Sequence, residues 1–190
     1  MWRVIMVWVS GIFFMKEEER SRKRIYILIG PKGSGKTFIG TALNNCFGIP
    51  FLRVEDIALR VKEDRNFNDS DYVWEVFAAI EREVRNNLKT QNELIFESTG
   101  LTEAFDLMLA NLKRDFEVAL IKIKTDLKNC LERVKTRDNT IHINVSDENV
   151  NAINSLAVKK VFDFDGEIDN NKAGIDEILG EFEKIKGKKG

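Results

Sequence analysis

The stretch IYILIGPKGSGKTFIG, Ile25 to Gly40, sets the reading of the whole chain. Apolar and β-branched side chains from Ile25 to Ile29 read as a buried strand. They run into Gly30, and beyond a glycine-rich loop a helical pattern begins at Lys36 and continues to about Cys46. Gly30 to Thr37, GPKGSGKT, satisfies the pattern GxxxxGK[ST] between a strand and a helix, the context its mechanism demands. Gly30, Gly33 and Gly35 let the backbone curl so that its N–H groups converge on an anion. The helix N-terminus behind them adds about half a unit of positive charge. Lys36 can neutralise outer phosphates, and the Thr37 hydroxyl can ligate magnesium. The expected ligand is a nucleoside triphosphate, ATP with Mg2+. Its expected contacts are Gly30, Pro31, Lys32, Gly33, Ser34, Gly35, Lys36, Thr37 and Phe38.

Working outward, strands and helices alternate. FLRV at 51–54 reads as a short strand, 71–89 as a long helix with one apolar face, and ELIFEST at 93–99 as a third strand. Thr102 can cap a helix reaching about Leu112. FEVALIKIK at 116–124 reads as a fourth strand, followed by a helix that Thr125 can cap. Another helix starts at Ser146. KVFDF at 160–164 reads as a fifth strand, and an amphipathic helix closes the chain. Parallel strands need crossovers and helices supply them, so the pattern predicts an α/β sandwich around a parallel sheet. Ligands of such sheets bind beyond the carboxyl ends of the strands. The loop at Gly30 and the acids following strands two and three then share one crevice.

Composition narrows the function. The chain has 190 residues, 43% hydrophobic, with two prolines and no linker-like or repeated segment, which suits one domain over 25–190. Thirty basic against thirty-one acidic side chains leave a formal net charge of −1. A surface built to grip nucleic acid carries a clear basic excess, so such a partner is not expected. Cys46 and Cys130 stand far apart without a CxxC pair and read as two buried thiols in a reducing, cytoplasmic setting. Residues 1–24 form an apolar and charged extension. MWRVIMVWVSGIFFM is too short for a comfortable membrane span and lacks a signal-peptide cleavage pattern. Met15 as the initiator and residues 1–15 as a peripheral anchor both remain open.

With its loop in that context, the chain resembles the small P-loop kinases: adenylate, shikimate and gluconate kinases, chloramphenicol phosphotransferase and zeta-toxin-like enzymes. The resemblance covers most of the chain from Ile25 onward. It implies a three-layer α/β sandwich with a five-stranded parallel sheet in the order 2-3-1-4-5. It also implies an acceptor site over strands two and three, and a mobile lid. The activity implied is transfer of the γ-phosphoryl group of ATP to a hydroxyl or phosphate of a small molecule or nucleotide, by a monomer or homodimer. The alternatives are a nucleotide-dependent switch that phosphorylates nothing and a nucleic-acid end kinase.

In those kinases a carboxylate just past strand two often accepts the acceptor's proton, typically worth 10²–10⁴-fold. Asp56 and Glu55 occupy that position. Asp56 is the favoured base, although Arg60 stands four residues on rather than close behind; alternatively both acids merely start a helix. LIFESTG has the shape of a Walker B motif, with Glu97 in place of the usual aspartate, able to orient magnesium through water or to touch the acceptor. Arg133 and Arg137 are four apart and share a helical face. In adenylate-kinase-like enzymes such a pair opens the lid, the first arginine stacking on the base and the second reaching the phosphates. A solvated basic face with Lys128 and Lys135 is the bland alternative. The lid, roughly 138–146, is short and without cysteines, and His142 reads as structural. The resemblance also sets Asp169 and Asn170 beside the base edge. Arg60, Arg65, Arg82 and Arg85 lie where acceptor-binding groups originate. Facing the crevice they would suit an anionic acceptor; facing solvent, a neutral alcohol or sugar.

Overall fold

Ile25, Tyr26, Ile27 and Leu28 have no solvent exposure, so their strand is buried on both faces, as the centre of a parallel sheet must be. The computed structural model describes residues 7–9, 12–14, 23–62, 70–136 and 146–188. Near the start, β1 (Val7–Val9) pairs antiparallel with β2 (Ile12–Phe14). The elements that follow are β3 (Arg24–Ile29), α1 (Lys36–Phe47), β4 (Phe51–Leu52), α2 (Val54–Lys62) and α3 (Ser70–Asn87). Next come β5 (Glu93–Ser98), α4 (Glu103–Asp115), β6 (Glu117–Lys124), α5 (Leu127–Thr136), α6 (Asp147–Lys159), β7 (Gly166–Asp169) and α7 (Ile175–Gly187). The five strands from β3 onward form one all-parallel sheet, ordered β4-β5-β3-β6-β7. Counted along the chain within that sheet the order is 2-3-1-4-5, as expected.

Period-two alternation divides the core. Ile25, Ile27, Ile29, Leu94 and Phe96 face α2, α3 and α4, with Ile57, Ile80 and Phe105 among the residues they meet. Tyr26, Leu28, Ile95, Ile121 and Ile123 face the other way, onto Ile39 and Leu43 of α1 and Phe182 of α7. Helices thus cover both faces and leave the carboxyl ends of the strands open. Thr102 caps α4 by accepting from the Phe105 amide, and Ser146 caps α6 by accepting from Asn149.

Three local expectations need correcting. Strand two stops at Leu52, and Val54 already begins α2, so Glu55 and Asp56 stand in the first turn of a helix. The fifth strand is Gly166–Asp169 rather than 160–164. Phe162 and Phe164 pack against the first core cluster from an irregular segment, Phe162 with its ring centre 6.0 Å from that of Phe105. Asp165 then pins the chain to β6, its carboxylate accepting from the Leu120 amide at 2.7 Å. Lastly, Cys130 is buried but Cys46 is exposed on α1. Among the described residues no helix is long and apolar enough to cross a membrane. Met15, Arg65, Arg137, His142 and lid residues 138–145 lie outside the described residues.

Candidate functional site

The loop between β3 and α1 takes the shape its glycines permit. Gly33 and Gly35 have φ of 85° and 88°, a region that L side chains rarely adopt. A Cβ on Gly35 would come within 2.1 Å of Asn170 Nδ2, so the close approach also requires glycine. Gly35 is the N-cap of α1, with no capping side chain and no acid in the first turn, which leaves the helix amides for another acceptor.

Lys36 is buried and curls back over the loop, donating to the carbonyls of Gly30 at 2.9 Å and Pro31 at 2.8 Å. Burial lowers its pKa, opposed chiefly by the Glu97 carboxylate. Burial likewise raises the Glu97 pKa, opposed by Lys36 and by a hydrogen bond from Thr37. Thr37 Oγ1 lies 2.9 and 3.0 Å from the two Glu97 carboxylate oxygens. Hydroxyl, carboxylate and ammonium thus meet at the carboxyl ends of β3 and β5.

Three side chains from distant sequence hold the loop from outside. Asn154 on α6 grips the Lys32 peptide at both ends, accepting from its N–H at 2.7 Å and donating to its carbonyl at 2.9 Å. Thr125 Oγ1 and Asn170 Nδ2 both donate to the Ser34 carbonyl, at 3.1 and 2.8 Å. Asn170 is therefore buried beneath the loop, whereas Asp169 is exposed, accepting from the Asn171 amide. Thr125, expected as a helix cap, spends its hydroxyl on the loop and on its own neighbour's carbonyl.

A cleft of about 440 Å³ opens above the loop. Lys32, Gly33, Gly35, Lys36, Thr37 and Arg133 line it with Glu97 at the loop, and Val54, Glu55, Ala58, Phe77, Ser98 and Thr99 line the remainder. Arg133 donates through Nη2 to the Asn170 carbonyl at 2.9 Å, while its buried Nη1 finds no acceptor among the described residues. That nitrogen lies 3.6 Å from where a Gly35 Cβ would be, close over the loop. Phe38, expected among the ligand contacts, is 58% exposed on α1 and does not line the cleft.

The acidic pair separates. Val54, Glu55 and Ala58 line the cleft with the spacing of one helical face. Asp56, one residue on and so about 100° around the helix, is exposed and stands 3.7 Å from Arg53. The structure thus brings Lys36, Thr37, Glu55, Glu97 and Arg133 together and leaves Asp56, Phe38 and Asp169 out. Sequence reasoning missed Asn154 and Phe77. A signal for Asn154 existed: with Val150 it forms the buried pair of α6, an amide where the apolar stripe of a helix should run.

The site fits a divalent cation of the magnesium type. Thr37 and Glu97 supply oxygen donors side by side. Among the described residues there is no cluster of three or more His, Cys, Asp or Glu; a Mg2+ ion usually keeps several waters and binds through one or two protein oxygens plus substrate phosphates.

Comparison with known proteins agrees with this architecture. A family model described as an AAA domain matches residues 25–158. No curated protein matches the sequence. Among solved structures, the APS kinase of Mycobacterium tuberculosis, in complex with AMPPNP and APS, superposes with a TM-score of 0.64 at 15% identity, covering 88% of this chain and 99% of that one. An unliganded sugar kinase from Janibacter sp. HTCC2649 gives 0.63 at 12% identity, covering 86% and 94%. A gluconokinase from Sinorhizobium meliloti 1021 gives 0.61 at 15% identity, covering 87% and 95%. At such identities the likeness is one of fold.

Proposed function

The chain belongs to the AAA-domain family of P-loop NTPases, and from that premise we propose that it is an ATP-dependent phosphotransferase acting on a small molecule. One observation carries this reading: the phosphate-loop residues Lys36 and Thr37 and the carboxylates Glu55 and Glu97 line a single cleft. A switch needs the loop and its metal partner; it does not need a second carboxylate across the cleft on α2. That the structures of similar fold are kinases supports the same class.

In this reading the loop amides and Lys36 take the phosphates, and Lys36 leaves the Gly30 and Pro31 carbonyls to do so. The free Nη1 of Arg133 is directed at the loop and suits a phosphate oxygen better than the flat face of a base. Thr37 would hold Mg2+, with Glu97 orienting its water, and the ion would neutralise charge on the transferring group. Glu55 accepts the acceptor hydroxyl's proton as the oxygen attacks the γ-phosphorus, and ADP leaves. A cytoplasmic setting, with ATP and reduced thiols, accords with this chemistry.

The test is ADP release with a panel of hydroxyl compounds, with Lys36→Ala run in parallel. The wild type should show acceptor-dependent turnover, and Lys36→Ala should lose both turnover and stabilisation by ATP. Full turnover by Lys36→Ala would remove the reading.

A further inference from the structure

We infer that the acceptor is a neutral, hydroxyl-rich molecule with one flat apolar face, of the polyol, sugar or nucleoside kind, rather than a phosphate or carboxylate. This rests on the phosphotransfer reading and specifies its substrate. Away from the loop the cleft presents the carboxylate of Glu55, the hydroxyls of Ser98 and Thr99, and the apolar surfaces of Val54, Ala58 and Phe77. An ionised carboxylate only accepts hydrogen bonds, so Glu55 matches a donor hydroxyl and repels an anion. A triphosphate at the other end adds to that repulsion.

Among the described residues, the arginines between β4 and β5 do not line the cleft. Arg60 is exposed and bonded to Glu83 at 3.0 Å. Arg85 is held between Glu81 and Asp115, each at 2.9 Å. Arg82 is exposed. Arg53 sits nearest: one Nη stands 3.7 Å from Asp56, its buried Nε has no acceptor among the described residues, and it offsets part of the Glu97 charge without lining the cleft. Among the described residues, the cations that do line it are Lys32, Lys36 and Arg133, all at the loop end.

Phe77 supplies the flat partner. It is half-buried on α3 and braced by Phe105 in an edge-to-face contact, ring centres 6.0 Å apart. A ring fixed in that way offers contact area at little entropic cost. Carboxylates and hydroxyls that bond acceptor hydroxyls, beside one aromatic face, are the ordinary composition of a selective small-molecule site.

The experiment pairs neutral compounds with anionic counterparts: glycerol with glycerate, glucose with gluconate, adenosine with adenosine monophosphate. Binding is measured calorimetrically on the full chain loaded with a non-hydrolysable ATP analogue, and transfer is measured separately with ATP. At least one neutral member should bind about tenfold or more tighter than its counterpart. Phe77→Leu should weaken that binding by about five- to tenfold while leaving affinity for the ATP analogue unchanged. Tighter binding of the anions, or no binding of any neutral member, would overturn the inference. Neutral binding without transfer would leave the acceptor class standing and sink the phosphotransferase instead. Transfer to anions alone would do the reverse.

Discussion

The two ends of the cleft are built on opposite plans. At the loop end the polar backbone is held from several sides: Lys36 bonds two carbonyls, the Ser34 carbonyl receives two side-chain donors, and Asn154 bonds both the N–H and the carbonyl of Lys32. The acceptor end is assembled from side chains of α2, Phe77 of α3 and the β5 terminus. A rigid cradle suits a ligand whose charge is always the same. A lightly supported wall suits a ligand that differs from one relative to the next, because one substitution there changes the fit without disturbing the loop.

The sharpest way to break the contrast is Gly35→Ala. The added methyl meets Asn170 Nδ2 and sits at a φ that alanine resists, so either the loop or its support must shift. We expect ATP binding, read by calorimetry, to fall below detection while the circular dichroism spectrum keeps its native form. Retained affinity would mean that the loop is less constrained than its hydrogen bonds indicate.

Glu55→Gln comes next and probes the opposite end. The amide keeps size and hydrogen bonding but loses the basic lone pair, so transfer should fall by about 10²-fold or more. ATP affinity should stay within about threefold. A proportionate loss of ATP affinity would instead make Glu55 part of the cradle.

How much of this was legible follows the same division. A phosphate loop works through consecutive backbone amides, so its signature is contiguous and GPKGSGKT displays it whole. The strands β3, β5 and β6 were legible because they are strongly apolar, whereas their order was implied only by the resemblance to small P-loop kinases. β7 was not legible, since Phe162 and Phe164 mimic strand alternation while packing as an irregular segment and Ile168 alone is buried in the real strand. The choice between Glu55 and Asp56 depended on where α2 begins. Moving a helix start by one residue rotates every side chain by about 100°, and a two-residue β4 gave no warning that Val54 was already helical. Supports from Thr125, Asn154 and Asn170 lie 91 to 136 residues from Ser34 and Lys32 in sequence, so no local pattern could reveal them.

Those supports give a smaller expectation. Asn154→Ala leaves the Lys32 N–H and carbonyl without their side-chain partner, and a loop held on one side less should bind phosphate less well. We expect the KM for ATP to rise about tenfold, with kcat changed by less than about threefold. Asn154→Asp should do as badly or worse, because its carboxylate cannot donate to the Lys32 carbonyl. It also brings negative charge beneath a phosphate site. A fall in melting temperature with unchanged KM would make Asn154 a stabilising residue only.

The smallest effect expected belongs to Asp56→Asn, which decides whether the helical phase of α2 is right. Asp56 is exposed, its one ion pair among the described residues is with Arg53 at 3.7 Å, and it lies off the face formed by Val54, Glu55 and Ala58. An exposed pair of that length contributes little, and the lost charge near a helix N-terminus is worth under about 1 kcal/mol. Transfer should therefore stay within about threefold of wild type, against about 10²-fold for Glu55→Gln in the same assay. The comparison has force because the two residues are adjacent and acidic and sit in the same helical turn. Composition, charge and distance along the chain cannot tell them apart; only direction can. If Asp56→Asn proved the more damaging change, α2 would have to turn by about one residue when an acceptor binds. That turn would move Val54 and Ala58 out of the cleft as well, and the apolar face expected to meet the acceptor would vanish with them.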